Sequence, residues 1–127
     1  MQDKHLFEYA VIRLVPSVER EEFFNVGVIL YCQEEDFLEI GYDLNEQRLG
    51  AFSSHLPVAE IAEHLQAFEK ISAGGDDAGP IGQLPIGARF RWLTAPRSTI
   101  VQISSVHTGL CSDPAEQLNE LLTKMVR

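Results

Sequence analysis

The densest group of side chains that could bind a ligand lies at residues 89–99, which read RFRWLTAPRST. It holds three arginines, the only tryptophan and, directly after the last arginine, two hydroxyl residues, namely Arg89, Arg91, Trp92, Arg97, Ser98 and Thr99. A guanidinium group binds phosphate or carboxylate through two parallel hydrogen bonds, and neighbouring hydroxyls can complete such a site. The same arginines could instead pair with carboxylates of the protein around a Trp92 anchored in the core. The sequence leaves both interpretations open.

Three other polar residues could join this segment in one site. His107 follows a predicted strand and lies beside Gly109, where it could act as a base or a ligand. Arg13 and Asn25 stand near the ends of two predicted strands. His107 and Cys111 together supply too few ligands for zinc, so we expect no metal. The sequence has no P-loop, G-x-G-x-x-G, G-x-S-x-G or H-E-x-x-H motif, and we expect no cofactor and no catalytic residue. A Cys–His nucleophile pair is a further alternative that the spacing does not establish.

The charge of the chain narrows its possible partners. The 127 residues include 10 basic and 19 acidic side chains, for a net charge of −9. Residues 78–111 form a basic island, with three arginines and no acid. An acidic surface repels phosphate backbones and anionic membranes. We therefore expect neither nucleic acid nor membrane as a partner, although arginines interleaved with Trp92 could stack on single-stranded bases.

The elements that must position these residues begin with three strands. Apolar and β-branched residues predict strands at 6–15, 23–32 and 37–42, and the short connections favour an antiparallel meander. Gly27 inside the second strand indicates a bulge or a close backbone approach. A fourth strand is predicted at 98–103, followed by a loop over 104–112. Cys32 reads as a small buried residue, and we expect both cysteines to be reduced.

Helical signals occupy the rest of the chain. Asp43 and Glu46 have the spacing of a capping box for a short helix through Leu49. An apolar stripe predicts a helix from Pro57 to Gly74, and Asp113, Pro114 and Glu116 mark the start of another. Between them we predict a glycine-rich loop over 74–87 and one or two helical turns over 88–94. The fold class is therefore α+β, an antiparallel sheet of about four strands with the two longer helices packed on one face.

Several stretches resemble a bacterial family known as domain of unknown function 3037. They are residues 9–16 (YAVIRLVP), 20–28 (REEFFNVGV), 89–99 (RFRWLTAPRST) and 106–111 (VHTGLC). Glu21 stands where the family pattern often has glycine. The resemblance implies no established activity, cofactor or catalytic residue. It does imply a partner, because genes of this family often neighbour genes for kinase-like proteins of the Hip toxin type.

These observations predict one globular domain, residues 1–127, with no apolar run long enough to span a membrane and no secretion signal. We expect it in the cytoplasm. The favoured function is a non-enzymatic interaction or accessory module that binds another protein. The acidic surface would attract a partner with a basic surface and speed their association. The alternative is a small-molecule or phosphate site, with hydrolytic chemistry left open. It would use Arg97, Ser98, Arg13, Asn25 and His107.

Overall fold

Three long strands follow one another along the chain, at the places where the apolar alternation predicts them. They are β1 (His5–Leu14), β2 (Phe24–Cys32) and β3 (Phe37–Tyr42). Each pairs antiparallel with the next. The computed structural model describes residues 3–16, 22–52, 56–97 and 100–127. The antiparallel meander predicted from the short connections is confirmed.

The opposite side of β1 carries a second antiparallel strand that is interrupted once. β4 (Val101–Ile103) pairs with the end of β1, and β5 (His107–Cys111) pairs with its beginning. The predicted loop over 104–112 is therefore wrong, since most of it is β5. The start of the predicted fourth strand, at 98–99, lies outside the described residues. The sheet order is β3-β2-β1-β4, with β5 beside β4 on β1.

Ser104 lies in the interruption between β4 and β5. Its hydroxyl accepts a hydrogen bond from the Val11 amide at 2.8 Å and donates one to the Ser105 carbonyl at 2.9 Å. The backbone amide of Ser104 donates to the Val11 carbonyl. The register of β5 along β1 is shifted by one residue relative to that of β4, so the interruption holds one extra residue. The buried Ser104 hydroxyl takes the place of a strand carbonyl as the acceptor of the Val11 amide.

Five α-helices lie in the part of the chain that the structure describes. They are α1 (Glu46–Phe52), α2 (Val58–Ala73), α3 (Gly79–Gly82), α4 (Ile86–Leu93) and α5 (Pro114–Met125). Asn45, rather than Asp43, caps α1, because its side-chain oxygen accepts the Arg48 amide at 3.1 Å. Asp113 caps α5 as predicted, accepting the amides of Ala115 and Glu116. No helix among the described residues is both long and apolar enough to cross a bilayer.

The two longer helices cover opposite faces of the sheet, which corrects the prediction that they share one face. Ile29 and Tyr31 of β2 belong to the core that includes α2 and α4, whereas Val28 and Leu30 belong to the core that includes α5. Successive side chains of a strand point to opposite faces. The run of apolar residues in β2 is the sequence signature of a strand buried on both sides. The α+β class itself is confirmed.

Two glycines permit close approaches in this arrangement. The register between β1 and β2 shifts beside Gly27, as the sequence indicates, and a side chain there would meet the Gly41 carbonyl 2.7 Å away. A methyl group on Gly41 would overlap Leu122 of α5. The absence of a side chain at Gly41 therefore leaves room for Leu122 where α5 packs on β3.

Candidate functional site

Arg89 organises the segment that the sequence predicts as a loose loop. Its Nη1 donates to the carbonyls of Ile71 and Ser72, at 3.0 and 2.8 Å, and its Nε donates to Leu84 at 3.0 Å. These bonds join the end of α2 to the start of α4. Gly74 lies against the same guanidinium with a φ of 72°. The predicted loop over 74–87 is therefore wrong in part, since it contains a 3-10 helix (Asp76–Ala78), α3 and the first residues of α4.

Arg97 also binds backbone carbonyls, in its case at the end of α4. Its Nη1 donates to the carbonyls of Leu93 and Ala95, at 2.8 and 2.9 Å, and its Nη2 donates to Trp92 at 2.9 Å. A cation near the carbonyl end of a helix is favoured by the helix dipole. Burial lowers the pKa of Arg97.

An aromatic cluster holds Arg97 in place. Its guanidinium lies 4.8 Å from the ring of Trp92 and 5.0 Å from that of Phe68. The His64 ring packs on Phe68 with centroids 4.8 Å apart. Burial first, and then the charge of Arg97, lower the pKa of His64. Trp92 is therefore part of an interhelical cluster, although 38% of its surface stays exposed.

Within the described residues, Arg91 is the arginine of the basic island that binds a carboxylate. Its Nη2 lies 2.9 and 3.0 Å from the two oxygens of Glu8 on β1. The pair joins α4 to the sheet. Ser98 and Thr99, the hydroxyls expected beside Arg97, lie outside the described residues.

Arg13 and Asn25 are brought together on the face that α5 covers. They are register partners across β1 and β2. The Arg13 guanidinium lies 4.2 Å from the Phe23 ring, and the Asn25 amide donates to the Met125 carbonyl at 3.2 Å. Arg13 Nε and Asn25 Oδ1 are buried with no hydrogen-bond partner among the described residues.

His107 lies apart from Arg97. It is exposed on β5, with its ring 5.3 Å from that of its register partner Tyr9. Tyr9 packs against the core that includes α5, whereas Arg97 contacts residues of α2 and α4 on the other face. Because the sheet lies between them, the structure does not join Arg97 with His107 or Asn25 in one site. Among the described residues, no group of three His, Cys, Asp or Glu side chains could hold a metal ion.

A groove of about 490 Å³ runs along β3, and we call it the β3 groove. One wall is five consecutive residues from Asp36 to Ile40, and the other comes from the end of α2 and the start of α4. Its remaining lining residues are Glu69, Ser72, Ala73, Ile86 and Arg89. In the described part of the chain, no strand pairs with the outer side of β3. The groove therefore lies beside an open sheet edge.

The pairing of β2 with β3 determines which backbone groups face that edge. The Asp43 amide donates to the Val26 carbonyl at 2.8 Å, one register step beyond the pair Gly27 and Tyr42. In antiparallel pairing, hydrogen-bonded and non-hydrogen-bonded pairs alternate. Leu38, Ile40 and Tyr42 therefore direct their amides and carbonyls away from β2. Their side chains belong to the core with α2 and α4, which holds β3 in place. In the described part of the chain, no further strand pairs with these outward amides and carbonyls.

The charges around the β3 groove are mainly negative. Its described lining residues include the acids Asp36, Glu39 and Glu69 and one base, Arg89. The Glu39 side chain alternates with those of Leu38 and Ile40, so it points to the α5 face of the same edge. Arg89 directs two of its nitrogens to backbone carbonyls. The Tyr42 hydroxyl donates to Glu69, and burial together with this hydrogen bond raises the pKa of Tyr42 to about 12.

The turn before β3 adds further carboxylates. Glu34 and Glu35 lie 2.6 and 2.7 Å from the two ring nitrogens of His5. The hydrogen bond to Glu34 raises the pKa of His5 above 6.5. Asp36 closes the turn with a φ of 51°, a conformation that aspartate tolerates better than most residues.

These features define an α+β domain with an open antiparallel sheet. Helices cover both faces of the sheet, and in the described residues no strand pairs with the outer edge of β3. A family model described as Protein of unknown function (DUF3037) matches residues 9–126. The chain belongs to this family, as the resemblance indicates. A comparison with curated proteins and one with solved structures each gave no match.

Sequence reasoning did not single out the β3 groove. The apolar alternation predicts β3 correctly, but it does not mark a groove beside that strand. Whether a strand lies at an edge depends on the order of strands in the sheet. The only available signal was the shortness of the connections, which places β3 beside β2 but does not exclude another strand beyond it.

Proposed function

We propose that this member of the DUF3037 family is a non-enzymatic interaction module that binds another protein. The observation that carries the proposal is the β3 groove, where an open sheet edge adjoins a cleft of about 490 Å³. An open edge presents unpaired amides and carbonyls and is a template for pairing with another chain. Natural domains usually cover or blunt such an edge unless it serves binding.

The internal role of two arginines also supports this function over the anion site first expected around Arg97. Arg89 and Arg97 direct their described hydrogen bonds to backbone carbonyls. An incoming phosphate would have to compete with three such bonds at Arg97. Arg91 already holds the carboxylate of Glu8.

The resemblance to the family suggests a kinase-like protein of the Hip toxin type as the partner to test first, and the cytoplasm as the place of the encounter. The acidic net charge would accelerate association with a basic surface on that protein.

A photo-cross-linking amino acid tests the proposal in cells of the source organism. Ala73 is exposed and lines the groove, whereas Asn119 is exposed on α5 and serves as the matched control. We expect a discrete cross-linked polypeptide from position 73 and none from position 119. Adducts from neither position, or equal adducts from both, would contradict a docking role for the groove.

One observation favours a second candidate, a small anion site on the α5 face. Arg13 Nε and Asn25 Oδ1 are buried without a hydrogen-bond partner among the described residues. Buried polar atoms in this state invite a ligand or an ordered water. Titration with inorganic phosphate, followed by the Arg13 Nε–H resonance, tests this candidate. A resonance that does not move would remove it.

A further inference from the structure

We infer that the open edge of β3 accepts an extended, basic segment of a partner protein as an added strand of the sheet. This inference rests on the proposed interaction function and specifies its docking mode and the chemistry of the partner. In strand addition, backbone hydrogen bonds to the edge supply affinity, and alternate side chains of the segment enter adjacent pockets.

The backbone of β3 has the spacing that strand addition requires. Leu38, Ile40 and Tyr42 direct their amides and carbonyls outward, and residues two apart repeat along a strand at intervals of about 7 Å. Leu38 is 5% exposed and packs into the core, so this edge is held rigidly before any partner arrives. A preorganised edge reduces the entropy lost on binding.

The β3 groove would take the side chains on one face of the added strand. Ile86 and Ala73 form its apolar part on the α2 and α4 side, opposite Ile40. Every second residue of the segment would point between these walls. The intervening residues would point to the other face of the sheet.

Charge decides which segment fits. The acids Asp36 and Glu69 line the groove together with the described base Arg89, and the Glu39 side chain, which alternates with Leu38 and Ile40, adds a carboxylate on the other face of the same edge. A second copy of this chain would bring the same carboxylates against each other, and like charges across a sheet edge are destabilising. A segment with lysine or arginine at alternate positions would place cations beside Glu39 on one face, while its intervening apolar side chains enter the groove on the other. The occupant is therefore a basic strand rather than a second copy.

Defined peptides test this inference with the full chain. The probe is a fluorescent peptide of about eight residues that alternates lysine and valine, since this length matches an ordinary strand. Its controls are a glutamate–valine peptide and a lysine–valine peptide methylated on every backbone amide. The methylated peptide keeps the charges but cannot donate to β3. Binding is measured by fluorescence anisotropy.

Two charge reversals separate the groove from the overall charge of the protein. Glu39→Lys changes an exposed residue at the open edge of β3, and Glu120→Lys makes the same change on the exposed side of α5. We expect the lysine–valine peptide to bind and both peptide controls to fail. Glu39→Lys should weaken binding about fivefold or more, and Glu120→Lys by less than about twofold, because screening confines the effect to nearby charges.

Each other outcome overturns the inference. No binding at a peptide concentration on the order of 1 mM excludes even a weak site. If the methylated peptide binds as tightly as the unmethylated one, the attraction is due to charge alone. If Glu39→Lys and Glu120→Lys weaken binding equally, the peptide does not bind at the edge of β3. If cross-linking still identifies a partner at position 73, only the strand-addition mode fails. If cross-linking also fails, the proposed function fails with it.

Discussion

Replacing Arg97 with alanine is the perturbation that best separates a structural arginine from a ligand-binding one. The side chain donates three hydrogen bonds to carbonyls at the end of α4 and lies within 5.0 Å of two aromatic rings. If these contacts are its function, Arg97→Ala should lower the free energy of unfolding. If Arg97 instead serves an anion, the substitution should leave stability almost unchanged.

The magnitude follows from the contacts. Hydrogen bonds to a charged group contribute about 1.5–3 kcal/mol each when buried. Arg97 is partly exposed, so in the variant water can hydrogen-bond to the freed carbonyls and recover much of this free energy. The stacked rings add about 0.5–1 kcal/mol. We therefore expect a loss of about 2–4 kcal/mol for Arg97→Ala.

Urea denaturation measures this loss, and the midpoint should fall by about 1–2 M at constant m. Arg91→Ala is the matched control in the same helical region. Its side chain is 60% exposed and pairs with Glu8 at the surface, where ion pairs contribute less than about 1 kcal/mol. Arg97→Lys keeps the charge but not the planar fork, so it should recover less than half of the loss. Equal losses for the two alanine variants, or full recovery by lysine, would refute the assigned role.

Three further predictions concern the sheet and its edge. Ser104→Ala should cost about 1–3 kcal/mol in urea denaturation, because it leaves a buried amide of β1 without its acceptor; a loss below about 0.5 kcal/mol would contradict this. Ultraviolet titration should find the Tyr42 phenol ionising near pH 12, and Glu69→Gln should lower that pKa; an unchanged value would show that Glu69 plays no part. NMR titration should place the pKa of His5 above 6.5 and Glu34→Gln should lower it. Since the folded state holds this proton more tightly, the stabilisation is complete below pH 6.5 and is lost as pH rises through the raised pKa.

The sequence predicts elements well where one local signal determines them. The apolar runs of β1, β2 and β3 and the cap at Asp113 specify their own structures, because side-chain alternation and capping act within a few residues. β5 was missed for a physical reason. Its five residues include Gly109 and an exposed Leu110, so it lacks an apolar alternation, and its pairing with β1 comes from residues about a hundred positions away.

The segment at 74–87 shows the same limit. Its glycines and prolines predict a loop, and no local pattern reveals the helical turns that the structure contains. These helical turns are held in place by Arg89 of α4, whose guanidinium donates to the carbonyls of Ile71 and Ser72 in α2. The candidate site shares this dependence, because the order of strands, not any motif, leaves β3 at an edge.

The arginines of the basic island leave the chain acidic. Their three positive charges are already counted in the net charge of −9, whichever groups they contact. Among the described residues, Arg89 and Arg97 bind backbone carbonyls, and Arg91 binds the carboxylate of Glu8. The binding of Arg97 to carbonyls removes support from the anion site first expected there. Separately, Asp36 and Glu39 place part of the negative charge at the open edge of β3, which favours a basic partner at that edge.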